Sequence, residues 1–140
     1  MTTNNMTAAP LAATAISTPV ALAADNRVAQ KFAADRLAYF GAGNAEAILA
    51  QYAEDATVIT QMGVLHSRDE IKGMIDGIIA EFARPGVTFN LLSQNAEGDV
   101  VSFIWTAETG VNAYDLGAET YVLKDSLAQY QTFAAKVTPR

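Results

Sequence analysis

Residues 43–58 carry the sequence Gly-Asn-Ala-Glu-Ala-Ile-Leu-Ala-Gln-Tyr-Ala-Glu-Asp-Ala-Thr-Val, and this stretch decides the fold. Asparagine is a preferred N-cap residue, so Asn44 predicts the start of a short helix. Three apolar residues form the buried side of this helix: Ile48, Leu49 and Tyr52. The helix is predicted to end at Glu54-Asp55, and the β-branched run at 56–60 predicts a strand. The stretch therefore predicts a helix that leads directly into a sheet.

A longer helical pattern precedes this stretch. Asp25 or Asn26 can cap it, and Gly41 with Gly43 ends it. Its apolar residues recur at approximately helical intervals: Val28, Phe32, Leu37 and Phe40. The sequence therefore predicts two consecutive helices before the first strand.

A third helix is predicted downstream, and Ser67 with Glu70 gives its start signal. A serine followed three residues later by a glutamate forms a capping box, in which each side chain bonds the free backbone N–H of the other. Apolar residues then recur along one face: Ile71, Met74, Ile75, Ile78, Ile79 and Phe82. Proline cannot continue a helix, so Pro85 predicts its end.

The rest of the chain alternates apolar and polar residues, as strands do. A brief return strand is predicted at 64–66, and longer strands are predicted at 87–91, 101–107, 119–123 and 127–137. Turns are predicted at 95–99, 110–112 and 124–126. Helices first and strands last indicate an α+β fold, in which a long twisted sheet can curl around the helices and enclose a pocket.

Composition excludes several kinds of chemistry. The 140 residues include 15 acidic, 9 basic and one histidine, and no cysteine, so disulfides and thiolate chemistry are excluded. The net charge of −6 argues against binding to nucleic acid or to an anionic membrane. The carboxylates have no metal-ligand spacing, and no phosphate-binding loop or dinucleotide fingerprint is present. The sequence thus predicts no metal site and no cofactor.

Residues 1–24 carry no charged side chain and are rich in alanine and threonine. One interpretation is a signal peptide that ends at Ala21-Leu22-Ala23, which would direct the protein to the periplasm or outside the cell. The other is an N-terminal arm on a domain at 25–140. No lysine or arginine precedes the apolar stretch, which favours the arm and a cytoplasmic location.

Residues 43–58 closely resemble the pattern G-[DN]-x-E-x-[IL]-x-x-x-[YF]-x-[DE]-D-A-x-[VF] of the SnoaL-like and ketosteroid-isomerase-like proteins. These proteins belong to the nuclear transport factor two-like superfamily. Residues 67–75 resemble the helix that follows in this family, and 100–106 and 119–123 resemble two of its later strands. The resemblance covers about residues 26–137.

The resemblance implies a cone, in which a curved antiparallel sheet wraps around three helices and encloses a mostly apolar pocket. It also implies a homodimer that forms through the outer face of the sheet, and a small apolar organic molecule as the partner. The fold serves isomerases, cyclases, dehydratases and non-enzymatic binders, so it does not define an activity.

The groups that ketosteroid isomerases use are mostly replaced in this chain. Thr60 stands where the resemblance places the catalytic aspartate, and threonine is not a general base near neutral pH. Arg36 stands where it places the first-helix tyrosine, with Tyr39 one turn further on. Glu119 falls near the second oxyanion donor, a protonated aspartate. Steroid isomerisation by that mechanism is therefore not expected.

Two titratable residues are the candidates for acid–base chemistry. His66 is the single histidine, and its near-neutral pKa suits proton transfer if it faces the pocket; otherwise it is a strand-end histidine bonded to backbone or solvent. Glu119 shares a strand face with Tyr121 and Leu123, so that face is expected to be covered. Glu119 is then either in the pocket or in an interface.

The predicted pocket contains eight further residues: Tyr39, Tyr52, Thr60, Met62, Met74, Phe82, Trp105 and Tyr121. Two hypotheses follow. The first is a cofactor-independent isomerase, cyclase or lyase that moves a proton next to a carbonyl, with His66 or Glu119 as the acid–base group. The second is a non-catalytic ligand-binding or dimeric assembly module of the same fold.

Overall fold

The computed structural model describes residues 25–140; the predicted arm or signal peptide at 1–24 lies outside the described residues. The described part of the chain forms three helices: α1 (Arg27–Gly41), α2 (Ala45–Leu49) and α3 (Ser67–Phe82). It also forms six strands: β1 (Tyr52–Thr60), β2 (Gly63–His66), β3 (Thr88–Glu97), β4 (Val100–Glu108), β5 (Asn112–Lys124) and β6 (Leu127–Pro139). None of these helices is long and apolar enough to cross a membrane.

The strands form one curled, unclosed sheet in the order β2-β1-β6-β5-β4-β3. This confirms the predicted α+β class, with a curved sheet and three helices. The sheet is mixed, however, because β1 runs parallel to β6 while all its other pairs are antiparallel. Hairpins force antiparallel pairing only between strands that they connect. The first and last strands share no hairpin, so alternation in the sequence cannot fix their relative direction.

The helix α2 is shorter than predicted. Asn44 caps it as expected, since its Oδ1 accepts the backbone N–H of Ala47 at 3.0 Å. Tyr52, expected on the helix, begins β1 instead. The Arg68 guanidinium donates to the carbonyl of Tyr52 at 2.6 and 2.9 Å, and Ala128 N–H donates to the carbonyl of Gln51 at 2.8 Å. These tertiary hydrogen bonds take up the carbonyls that a longer helix would need.

The start of α3 also differs from the prediction by one residue. His66 is the N-cap residue and makes no side-chain capping bond. The Glu70 carboxylate accepts the backbone N–H of His66 at 2.6 Å. The glutamate bond of the predicted capping box is therefore present, but it goes to the residue before Ser67. Ser67 itself has a positive φ of 71°, which turns the chain from β2 into the helix.

The β3–β4 turn is tighter than the predicted 95–99. Residues up to Glu97 stay in β3, and the chain reverses at Gly98, where φ is +58°. A register shift between Leu91 and Ser93 interrupts the alternation and hides the continuation of the strand in the sequence.

The core lies between the helices and the concave face of the sheet. Buried residues of α1 and α3 pack against this face: Ala29, Phe32, Ala33, Ile71 and Ile75. On β4 every second residue from Val101 to Ala107 is buried, as a half-covered strand requires. Burying each large apolar side chain contributes roughly 1.5–3 kcal/mol.

Glu81 fastens the last turn of α3 to the β4–β5 connection. Its carboxylate accepts Thr109 Oγ1 at 2.6 Å, Asn112 Nδ2 at 3.0 Å and Tyr114 Oη at 2.8 Å. Burial alone would raise the pKa of Glu81, but these three hydrogen bonds bring it below its ordinary value. Burial and the bond to Glu81 raise the pKa of Tyr114 to about 12. The contact therefore stabilises the fold when Glu81 is ionised.

We expect Glu81→Gln to lower the free energy of unfolding by roughly 1 kcal/mol near neutral pH, because bonds to a charged acceptor are the stronger ones. A lowered folded-state pKa adds stability above the unfolded-state pKa, and that stability is lost as the pH falls through the folded-state value. The gap between parent and variant should therefore shrink below roughly pH 4. Urea unfolding as a function of pH measures it, with Glu54→Gln, an exposed carboxylate, as the control. A gap that does not change with pH would contradict this assignment.

Candidate functional site

A cavity of about 490 Å³ lies between α1, α3 and the concave face of the sheet. Its wall is mostly apolar, and seven of the lining residues are aromatic: Phe40, Phe82, Phe89, Phe103, Trp105, Tyr114 and Phe133. Few polar side chains reach it, and three of these meet at the sheet: Arg36, Glu119 and Gln131. An apolar cavity with a few convergent polar groups is the usual form of a small-molecule site.

Strand register brings the polar groups together. Neighbouring strands place Phe103, Glu119 and Phe133 in one row across the sheet. The next row on one side contains Tyr121 and Gln131. On the other side Trp105 pairs with Gly117. Because alternate residues of a strand share a face, all these side chains lie on the concave face with Glu119 among them.

Three donors hold the Glu119 carboxylate. Trp105 Nε1 donates to Oε2 at 2.8 Å, and Gln131 Nε2 donates to Oε1 at 3.2 Å. The Tyr121 hydroxyl also donates to Oε1. An ionised carboxylate has about four lone-pair sites, so one acceptor position, on Oε2, is left.

Behind Glu119 a chain of hydrogen bonds runs to a buried cation. Gln131 Oε1 accepts the Tyr52 hydroxyl at 2.5 Å, and the Tyr52 oxygen accepts Arg36 Nη2 at 2.7 Å. Gln131 Nε2 also reaches the Tyr121 oxygen at 3.1 Å. Gln131 therefore connects the carboxylate at the cavity wall with the guanidinium of α1.

The guanidinium of Arg36 lies between two aromatic rings, 5.1 Å from the ring centre of Tyr52 and 5.0 Å from that of Tyr121. Burial alone would lower the pKa of Arg36, but Tyr121, Tyr52 and the Glu119 carboxylate raise it above its ordinary value. Burial raises the pKa of Tyr121 well above its ordinary value. Burial also raises the pKa of Tyr52. Both tyrosines are therefore neutral, and Arg36 carries the positive charge of this group.

The eight predicted pocket residues divide into three sets. Five line the cavity: Thr60, Met62, Met74, Phe82 and Trp105. Tyr52 and Tyr121 are fully buried and contribute to the hydrogen-bond network behind its wall. Tyr39 lies on another face of α1, beside a separate groove. That the five lining residues bind a ligand stays a prediction.

The two candidate acid–base residues lie apart. Glu119 lines the cavity, whereas His66 is exposed at the end of β2 and is not among the lining residues. The Thr60 hydroxyl is occupied within the β1–β2 turn, where it donates to the Gly63 carbonyl at 2.9 Å and accepts Met62 N–H at 3.0 Å. A catalytic role for either candidate stays a prediction.

A second amide fixes the mouth of the cavity. The Gln61 side chain makes two hydrogen bonds to the backbone of Ala135 on β6, at 2.6 and 2.8 Å. It thereby continues the parallel β1–β6 ladder by one step beyond the end of β1. Met62, at the tip of this hairpin, is 91% exposed and borders the opening.

Sequence reasoning missed Gln131 and treated Arg36 only as a replaced tyrosine. The available signal for Gln131 was its place on the covered face of the last strand, two residues before Phe133. Arg36 lies four residues after Phe32 on the buried side of α1. Within 25–140 no three histidine or carboxylate side chains lie together in a way that could hold a metal ion.

Residues 33–133 match the family described as the SnoaL-like domain, so the chain belongs to that family. No curated protein matches the chain.

Many solved structures share the fold. A SnoaL-like protein of unknown function from Burkholderia thailandensis is 17% identical, with a TM-score of 0.64 over 80% of this chain and 97% of that one. A nuclear transport factor two-like protein of unknown function from Mesorhizobium loti is 14% identical, with a TM-score of 0.65 over 79% and 93%. A hypothetical protein with a ketosteroid isomerase-like fold from Catenulispora acidiphila, in complex with trimethylamine, is 15% identical, with a TM-score of 0.57 over 73% and 82%. At these identities the likeness concerns the fold alone.

We expect Gln131→Met to lower the free energy of unfolding by about 1–3 kcal/mol, because the Tyr52 hydroxyl then loses its acceptor in a buried site. Gln129→Met on the same strand is the matched control, since its amide makes an exposed bond to Asp55, and its effect should stay within about 0.5 kcal/mol. Urea unfolding measures both, and equal losses would contradict a special role for the buried amide.

Proposed function

We propose that this protein binds a small, mostly apolar organic molecule in the cavity and that Glu119 transfers a proton to and from it. The observation that carries the proposal is a single carboxylate, with one free acceptor position, in a mostly apolar and aromatic wall. Such a wall excludes water from the ligand and strengthens the polar interactions that remain.

The proposed chemistry is proton transfer next to a carbonyl. The free lone pair of Glu119 Oε2 takes a proton from the carbon beside the ligand carbonyl, leaving an enolate, and returns it to the same or a neighbouring carbon. Trp105 and Gln131 hold the carboxylate in place during both steps. The guanidinium of Arg36 interacts favourably with the Glu119 carboxylate. The ligand therefore does not have to bring a positive charge of its own into the cavity.

A non-catalytic binding module is the second candidate. Among the cavity-lining residues Glu119 is the one carboxylate, and the imidazole of His66 is not among them, so the carboxylate has no titrating partner there. Three of its lone-pair sites are already occupied, as in a structural carboxylate. The trimethylamine complex of the Catenulispora acidiphila protein supports small-molecule binding in this fold without requiring a reaction.

Carbon-bound hydrogen exchange separates the two candidates. We expect the parent protein to exchange the α-hydrogens of a bound cyclic ketone with D2O, and Glu119→Gln to lose roughly 10²–10⁴-fold of that rate. Proton NMR of the ketone measures exchange, and fluorescence of Trp105, the single tryptophan, measures binding. Glu108→Gln, an exposed carboxylate on β4, is the control.

Binding of a panel of cyclic ketones and phenols without any hydrogen exchange would support the binding module and overturn proton transfer. Failure of every compound to change the fluorescence of Trp105 would count against both candidates as stated.

The outer face of the sheet supports the further proposal of a homodimer. Across residues 100–107, 116–123 and 127–135 the one charged residue is Glu119, which lies on the concave face. The strand residues that alternate with the buried ones point to the outer face. Several of them are exposed and apolar: Ile59, Val100, Leu116, Val122 and Tyr130. Lys136 pairs with Leu116 and is the next charged residue on β6. An exposed apolar patch of this kind is typical of a face that another copy covers.

We expect Tyr130→Asp to shift the protein to monomers, because it puts a charge in the middle of the proposed interface. Val28→Asp on α1 is the matched control, since the two side chains are similarly exposed, at 52% and 48%. Sedimentation velocity measures the mass of each. A parent protein that sediments as a monomer at high concentration would refute the dimer.

A further inference from the structure

Gly117 occupies a position where a glycine needs an explanation. It lies in the interior of β5, where glycine weakens a strand because it has no side chain to pack. Its φ is not in the left-handed region that accounts for Gly43, Gly63, Gly86 and Gly98. The backbone conformation therefore does not require glycine at this position.

The indole of Trp105 provides the explanation. A Cβ on Gly117 would lie 2.7 Å from Trp105 Cδ2 and closer still to Cε2 and Cζ2. An ordinary contact needs 3.4–4 Å. The indole therefore rests flat on the backbone of its cross-strand partner, and no other residue type leaves room for it there.

This close approach determines where the indole N–H points. Trp105 pairs with Gly117, and Glu119 lies one step further along the same face of β5. The indole reaches Glu119 at 2.8 Å by passing over Gly117. A side chain at 117 would stand in this path.

The surrounding rings leave the indole little room to move aside. Phe82, Phe89, Tyr114 and Phe133 all pack around it, with ring centres 5.6 to 6.5 Å from that of Trp105. Displacement away from the backbone moves the indole toward the cavity that it lines. The same displacement stretches its bond to Glu119.

We propose that Gly117 is a positioning and specificity-determining residue of the cavity. By having no side chain it seats Trp105 against the sheet, which aims the indole N–H at Glu119 and keeps the cavity open to larger ligands. The role of Gly117 in ligand specificity rests on the proposed function. Its role in positioning Trp105 and Glu119 can be tested without a ligand.

The indole N–H of the single tryptophan gives one signal in a ¹H–¹⁵N correlation spectrum. In the parent protein Glu119→Gln should shift this signal, because it changes the acceptor of the indole bond. In the Gly117→Ala background the same substitution should leave the signal unchanged, because the indole no longer reaches residue 119. An equal shift in both backgrounds would overturn the proposal. A merely structural role of Gly117 would not remove this response.

Stability measurements identify the clash itself. We expect Gly117→Ala to raise the unfolding equilibrium constant by roughly tenfold to hundredfold, as overpacking does. Trp105→Leu removes the indole ring that the new Cβ meets, so Gly117→Ala should cost less stability in the Trp105→Leu background than in the parent protein. Gly110→Ala is the control, since its Cβ would meet nothing within 4 Å. An equal cost of Gly117→Ala in the two backgrounds, or a double variant that fails to fold where Trp105→Leu folds, would overturn the proposal.

Ligand size gives the third readout. For ketones that bind the parent protein, Gly117→Ala should lower the affinity for the larger ones more than for the smaller ones. Gly110→Ala should lower the affinity for neither. Uniform weakening would contradict the role in specificity. If no ketone binds the parent protein, the proposed function fails, and the spectroscopic and stability results still decide the role of Gly117.

Discussion

The packing of this molecule depends on the hydrogen bonds that hold the Glu119 carboxylate on the covered face of the sheet. A charge removed from water is costly unless donors and an opposite charge surround it. Glu119 is surrounded by indole, phenol and amide donors, and Arg36 supplies the opposite charge through Tyr52 and Gln131. These groups come from α1, β1, β4, β5 and β6. The polar network therefore requires one helix and the four central strands of the sheet to be correctly placed.

The same constraint explains why the cavity is polar on one side only. The network occupies the wall formed by the sheet, while α3 and the far end of α1 contribute apolar side chains. Glu81 is also bonded by three donors, but it lies at the end of α3 and joins the helix to a loop. Two carboxylates with similar numbers of partners thus have different surroundings, and only Glu119 lines the cavity.

Sequence patterns predicted the class of fold because each helix cap and each strand alternation depends only on residues that are close together in the chain. Asn44 caps a helix next to it, and alternation places Glu119 and Tyr121 on one face whatever surrounds the strand. The parallel pairing of β1 with β6, the length of α2 and the contribution of Gln131 depend on residues far apart in the chain. No short-range period contains that information. For Gly117, the sequence offers a glycine inside a strand, and only the neighbouring strand explains it.

The pairing of β1 with β6 also bears on the order in which the molecule can be made. β1 is the first strand in the chain and β6 is the last, yet they are neighbours in the sheet. β6 joins β1 and β2 to the other three strands, so the sheet is complete only when the end of the chain is present. Contacts between distant segments slow folding, since the loop between them must be ordered first. On the ribosome the three helices and the first five strands emerge before Gln131 does. Until then the nascent chain has Arg36 and Glu119 without the amide that joins them, so a truncated chain lacks the buried polar network as well as its last strand.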